Sequence, residues 1–190
     1  MDNNIEERKA LVIIDLQKGI ASMQTLPHPS STVLENAGKL AKKCRESGIP
    51  VVAVRVTGPM EIMLHPKVDG DSAGFSRRER PADWDQYVDQ LGITSGDILI
   101  TKHQWGAFYG TDLDLQLRRR HVDTIILCGI ATTYGVESTA RFAYEYGYNQ
   151  IFVEDAMSDM SAEAHEASLK FVLSRIGMIR KTEEVMKMLE

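Results

Sequence analysis

The chain has 190 residues, of which 43% are hydrophobic and 26% charged, and its formal net charge is -5. That length lets one domain bury roughly 70% of the unfolded surface without staples, and the acidic balance argues against a general nucleic-acid or anionic-membrane surface. Residues 1–7 are polar and acidic, and no apolar run approaches the ~18 residues of a membrane span, so the expectation is a single domain over residues 1–190, cytoplasmic, with no nucleic-acid and no membrane partner.

Short apolar runs rich in β-branched residues alternate with amphipathic stretches, the pattern of parallel strands joined by helices. In chain order the pattern predicts strands at 10–14, 50–56, 97–101, 124–128, 150–153 and 178–180, with helices at 32–47, 113–120, 135–146, 162–174 and 182–189. Gly48 and Gly147 stand where helices should stop. A three-layer α/β/α sandwich follows. Residues 57–91 break the rhythm with Pro59, Pro66, Pro81, the run Gly70-Asp71-Ser72-Ala73-Gly74 and the charges Arg77-Arg78-Glu79-Arg80. So long a loop reads as a lid or partner-contact segment, or as a mobile connector. Arg118-Arg119-Arg120 reads as a solvated helix C-terminus facing the macrodipole.

The chemistry is concentrated at strand ends. Asp15 closes an otherwise apolar strand, where a lone carboxylate is costly to desolvate unless a cation compensates it. Lys102 closes its own strand in the same way, and the carboxyl ends of parallel strands share one edge, so the two can meet over the crevice. Pairing depresses a carboxyl pKa and burial raises it; the sequence leaves that balance open, and a plain strand-end salt bridge stays an alternative. The run Gly129-Ile130-Ala131-Thr132-Thr133-Tyr134-Gly135-Val136-Glu137 follows an apolar strand and opens a helix, where a thiol would be activated. Here the residue is Gly135, which is also acceptable as a helix N-cap. Thr132, Thr133, Tyr134 and Ser138 lie near the turn without a His–Ser or Ser–Lys arrangement to activate a hydroxyl.

Cys44 and Cys128 fit no zinc or disulfide spacing and suggest a reducing compartment. His28, His65, His103, His121 and His165 are scattered, with no His-x-x-x-His pair, so no metal and no cofactor are implied. Gln17, Gln104, Trp105, Phe108 and Tyr109, just beyond strand ends, are candidates to line a substrate pocket. The aromatics Trp84, Tyr87, Trp105 and Tyr109 exceed what covers a monomer's core and point to a homo-oligomer.

Four pieces in one order carry a family resemblance: Leu11-Val12-Ile13-Ile14-Asp15-Leu16-Gln17; Ile100-Thr101-Lys102 with Ala107, Phe108, Thr111 and Leu113 after it; the turn at Gly135; and Glu154-Asp155-Ala156. Together they resemble the isochorismatase-like hydrolase superfamily, also called cysteine hydrolases. The resemblance implies a six-stranded, mostly parallel, Rossmann-like sheet and a dimer or tetramer. Most members place their nucleophilic cysteine where Gly135 stands; true isochorismatases also have glycine there and cleave a vinyl ether without a covalent thiol intermediate. Carried over, the resemblance implies oxyanion donors at the amides of Ala131 and Gly135, with a cis peptide between Ile130 and Ala131. It makes Asp15 a general acid assisted by Lys102, and Gly135 a space for substrate or water. Isochorismatases resembling this chain have tyrosine at the position of Ala131 and histidine at that of Thr133, so isochorismate itself is not the expected substrate. Nicotinamidase-type members hold a metal through an Asp-x-His pair that residues 57–60 lack. The expectation is a hydrolase of a small polar metabolite; the alternatives are a catalytically silent small-molecule binder and an amidase using an activated water.

Overall fold

The computed structural model describes residues 7–58, 67, 69 and 80–190. The six apolar runs form one parallel sheet, β1 (Lys9–Ile14), β2 (Val51–Val56), β3 (Ile98–Lys102), β4 (Thr124–Ile130), β5 (Asn149–Ser158) and β6 (Met178–Arg180). Their order is β3-β2-β1-β4-β5-β6, with every neighbouring pair parallel. All seven residues of β4 are buried, which requires helices on both faces and explains why its sequence is a continuous apolar run. β3, at the edge, alternates buried and exposed residues and leaves Leu99 in solvent. Chain order reverses direction between β1 and β4, and at such a switch point the strand ends open a crevice.

The helices are α1 (Lys18–Ala21), α2 (Ser30–Glu46), α3 (Leu113–Arg119), α4 (Glu137–Glu145), α5 (Ala162–Ser168) and α6 (Thr182–Met188). α2 and α6 pack together over β5, and α2 reaches β1 as well. Ser161 caps α5 by accepting the Ala164 N–H at 3.2 Å, and a π-turn, Leu169–Leu173, carries that helix on to Ser174–Ile176. The helix predicted from residue 135 differs in its first turn. Thr132–Val136 form a π-turn, and regular α-helix starts only at Glu137. Single π-turns inside helices recur at functional sites.

β5 also runs further than its apolar core predicts. Leu127 pairs with Phe152 and Gly129 with Met157, so the segment between bulges out of the ladder and the strand resumes to Ser158. The polar pair Glu154 and Asp155 lies in that bulge, which is why the sequence reads as the end of a strand. Most of the irregular 57–91 segment lies outside the described residues. Its last part is built into the fold: Gly19 N–H donates to Trp84 O, Lys18 N–H to Gln86 O and Val88 N–H to Leu16 O. Gly19 is needed there, since a Cβ would fall 2.0 Å from the Trp84 ring.

Gly129 sits opposite Ile14 across the β1–β4 ladder, with φ +127°. A Cβ there would lie 2.1 Å from the Ile14 carbonyl oxygen, a backbone atom that cannot rotate away. Gly129→Ala combines that clash with a backbone conformation only glycine adopts readily, and we expect it to lower stability by about 3 kcal/mol or more. A urea midpoint close to wild type, at unchanged m-value, would contradict this.

Candidate active site

Asp15 follows β1 directly and takes a positive φ of 54°, a conformation that Asp tolerates better than most residues and that clusters at functional sites. Its N–H still donates to Val54 O at 2.9 Å, so its backbone remains tied to β2. Lys102, the last residue of β3, reaches across β2 and donates from Nζ to Asp15 Oδ2 at 2.8 Å and to the Trp105 carbonyl. The pair is almost sealed, with Asp15 5% and Lys102 1% exposed. Asp15 Oδ1 is buried with no hydrogen-bond partner among the described residues.

Gly135 completes the cluster. A Cβ built there would stand 2.8 Å from Ile14 Cγ2, 3.0 Å from Asp15 Oδ2 and 3.3 Å from Lys102 Nζ. Any side chain at this position would therefore press on the ion pair, and glycine keeps that volume free of protein. The peptide between Ile130 and Ala131 is cis. Two side chains that the sequence does not single out hold the turn. Thr139 Oγ1 donates to Gly135 O at 2.6 Å and accepts the Ala107 N–H, joining the loop after β3 to α4. Asp159 Oδ2 accepts both the N–H and the hydroxyl of Thr133 at 2.7 Å.

The burial of Asp15 raises its pKa from the ordinary 3.8 to about 6, while the charge and hydrogen bond of Lys102 pull the other way. Desolvation therefore wins the balance that the sequence leaves open. The two thiols are not prepared as nucleophiles. Burial pushes the Cys44 thiol up to about 12 and raises Cys128 as well. Thr132 does meet a histidine, contrary to the sequence reading, with Oγ1 2.8 Å from His165 Nδ1. Thr132 Oγ1 also lies 3.1 Å from Ser158 O, however, and both Thr132 and His165 are closed to solvent.

Several candidates for pocket lining make contacts within the fold. Gln17 is fully buried: its Oε1 accepts the Val56 N–H and its Nε2 donates to Val56 O and Trp84 O. Phe108 is buried against Tyr146 and Tyr148. Gln104 Nε2 is spent on the carbonyls of Gly106 and Tyr109, shaping the loop after β3. Ala131 is buried, and its carbonyl accepts from Tyr134 and Val136 at the start of the turn. Trp105 and Tyr109 are exposed as expected, and Trp105 packs edge-on against Tyr134, a residue of the turn itself. Trp84 and Tyr87 are not exposed aromatics; both pack against the core, and the Tyr87 hydroxyl donates to Ala53 O at 3.0 Å.

The histidines are not uniformly scattered in space. His28, in the loop before α2, and His165, on α5, come together with Glu154 from the β5 bulge. His28 precedes Glu154 by 126 residues, which hides the grouping from any spacing motif. His103 bonds Thr57 O through Nδ1, and His65 lies outside the described residues.

A family model described as the isochorismatase domain matches residues 9–184. The chain is 51% identical over 187 residues to YwoC of Bacillus subtilis, an uncharacterized isochorismatase family protein, covering 97% of this chain and 96% of that one. It is 30% identical over 180 residues to the phenazine biosynthesis protein PhzD of Pseudomonas fluorescens, covering 94% of this chain and 85% of PhzD. Among solved structures, an isochorismatase family protein from Burkholderia thailandensis superimposes with a TM-score of 0.90 at 39% identity, covering 96% and 95% of the two chains.

Lys102→Met removes both influences that hold the Asp15 carboxyl down, so its titration should move above the present value of about 6. Loss of one partner from a buried pair should also lower stability at pH 7 by about 3–5 kcal/mol. The sign follows from linkage. The folded carboxyl holds its proton more tightly than the unfolded chain does, so Asp15 favours the folded state at low pH, and that contribution is lost as pH rises through about 6. Infrared difference spectra with Asp15→Asn as the blank report the titration directly, and an Asp15 midpoint at or below 4 would refute it.

Proposed function

Since the chain belongs to the isochorismatase family of hydrolases, we propose that residues 1–190 form one such domain, which hydrolyses a small polar metabolite with Asp15 as general acid and no cysteine nucleophile. The observation that carries this reading is the Asp15 carboxyl itself, which is buried, poised near pH 6 and unpartnered at Oδ1, with Oδ2 facing the space left by Gly135. With glycine at position 135 there is no thiol proton for Asp15 to remove. The carboxyl instead gives its proton to the carbon of an enol ether, water adds to the oxocarbenium ion that results, and the hydrogen lost by that water returns to Asp15 as the adduct breaks into a carbonyl compound and an alcohol. Lys102 lowers the barrier by pairing with the carboxylate that the proton transfer creates. The amides of Ala131 and Gly135 are the proposed donors to substrate oxygen, and Trp105, Tyr109 and Tyr134 border the approach.

A second reading, small-molecule binding without turnover, draws support from the near-complete burial of Asp15 and Lys102. Two measurements separate the readings. Asp15→Asn keeps size and hydrogen bonding but cannot titrate, so turnover should fall by roughly 10²-fold or more while binding persists. In the wild type, kcat/KM should fall about tenfold per pH unit above pH 6, because the acid form of Asp15 is lost. The assay should include vinyl ethers, amides and carbamoyl compounds. Wild-type protein inactive on all three, yet holding a ligand less tightly after Lys102→Ala, would establish the binder.

The same face suggests assembly. Trp105, Tyr134, Phe142 and Tyr146 are all exposed and linked by contacts from the loop after β3 to α4. Such a contiguous aromatic surface favours association, and we propose that a second copy of the chain covers it. Sedimentation should give a mass at least twice the 21.3 kDa of the chain, and Trp105→Ser should shift it towards the monomer. A wild-type monomer at micromolar concentration would remove this proposal.

A further inference from the structure

A second polar cluster lies on the other side of the turn that carries Gly135. His28 follows the cis Leu26–Pro27 peptide, Glu154 projects from the β5 bulge and His165 comes from α5. One ligand-capable atom from each lies within 4.8 Å of the other two. His28 Nε2 is 2.8 Å from Glu154 Oε1, and the two imidazole rings meet edge to face with centroids 5.8 Å apart.

The hydrogen bonds around the cluster are compatible with ligation. The Thr132 hydroxyl has one hydrogen, and it points at the Ser158 carbonyl at 3.1 Å, which can only accept. With that hydrogen on Ser158, Thr132 Oγ1 accepts from His165 Nδ1, 2.8 Å away, and the matching His165 tautomer presents a lone pair at Nε2. That Nε2 is buried and unpartnered, on a side chain only 1% exposed. Glu154 Oε2 is buried and unpartnered too. Two buried polar atoms thus stand unpartnered in one cluster of the described residues. Such orphaned acceptors are costly in a protein interior unless a cation joins them.

We infer that His28, Glu154 and His165 form a binding site for a divalent transition-metal ion of the zinc class. Two imidazoles and one carboxylate suit zinc or cobalt, whereas calcium and magnesium call for oxygen ligands alone. Metal bonds of about 2.0–2.2 Å in tetrahedral geometry place ligand atoms about 3.4 Å apart, so small side-chain rotations close the present cluster around an ion. The ion takes the place of the hydrogen that His28 Nε2 now shares with Glu154 Oε1, and that proton leaves to solvent or moves to Nδ1. His28 and Glu154 side chains are 25% and 22% exposed, which opens a route for both ion and proton. The Thr132 bond to Nδ1 is the outer-shell contact that orients a ligating imidazole. A metal here would fasten the loop before α2, the β5 bulge and α5 together, and through Thr132 it would brace the turn without touching Asp15 or Lys102.

The test uses the full chain dialysed against a chelator and then titrated with Co²⁺, with Zn²⁺ as competitor. The site predicts one equivalent bound, visible ligand-field bands that Zn²⁺ abolishes, and a Tm that rises until one equivalent is reached. His28→Gln and His165→Ala should each weaken Co²⁺ binding by more than about 100-fold, and Thr132→Val, which loses only the outer contact, by about 10–100-fold. His28→Gln alters a half-buried loop residue, and circular dichroism checks its fold; should His165→Ala fail to fold, the wild-type titration and His28→Gln still decide. No stoichiometric binding by wild-type protein at micromolar metal, or equal affinity in wild type and a folded His28→Gln, would overturn the inference.

Discussion

An ion pair closed off from water at the meeting point of three strand ends governs the rest of this molecule. Asp15 and Lys102 are in contact at 2.8 Å and nearly inaccessible, a state that costs several kcal/mol per ion in lost hydration unless geometry returns it. The returning geometry is demanding, because Lys102 lies two strands away from Asp15 and must be delivered by the unbroken β3-β2-β1 register. Gln17 helps to hold that register by bonding both backbone groups of Val56.

The compensation is incomplete, and its shortfall is chemically useful. Lys102 satisfies one carboxylate oxygen and leaves Oδ1 bare, so desolvation outweighs attraction and the carboxyl holds its proton to about pH 6. A carboxyl in that condition can donate a proton near neutrality and is then stabilised as the anion by the same lysine. At position 135 a side chain would crowd both groups. Glycine leaves the volume beside Asp15 Oδ2 and Lys102 Nζ free of side chain.

The turn after β4 is held from two directions. On one side Thr139 ties it to the loop that follows Lys102; on the other, Asp159 and the Thr132–His165 contact tie it to the end of β5 and to α5. Backbone geometry at this turn departs from regular helix, with a cis peptide before it and a π-turn inside it. The polar residues around the turn thus act as a frame that sets where the Gly135 backbone faces the ion pair.

Most of the architecture was readable along the chain because its signals are local. Apolar runs long enough to cross a buried sheet mark all six strands, and glycine at helix ends marks where they stop. Asp15 and Lys102 stood out because a charge closing an apolar run requires a partner, and the shared edge of a parallel sheet supplies one. The readings that changed depend on partners far away in sequence. Gln17 looked available until the fold brought in Val56 and Trp84, 39 and 67 residues distant; Phe108 until Tyr146 and Tyr148 covered it. β5 seemed to end at its first acidic residues because a bulge leaves no periodic trace. His28 and Glu154 are 126 residues apart, and no spacing rule joins them. The sequence alone determined the sheet and the strand ends at which Asp15 and Lys102 stand, since periodicity and the cost of burying charge act residue by residue. Which polar groups are already satisfied, and which way the Asp15 pKa moves, only the tertiary structure decided, because both depend on desolvation and hydrogen bonds made by residues that meet only after folding.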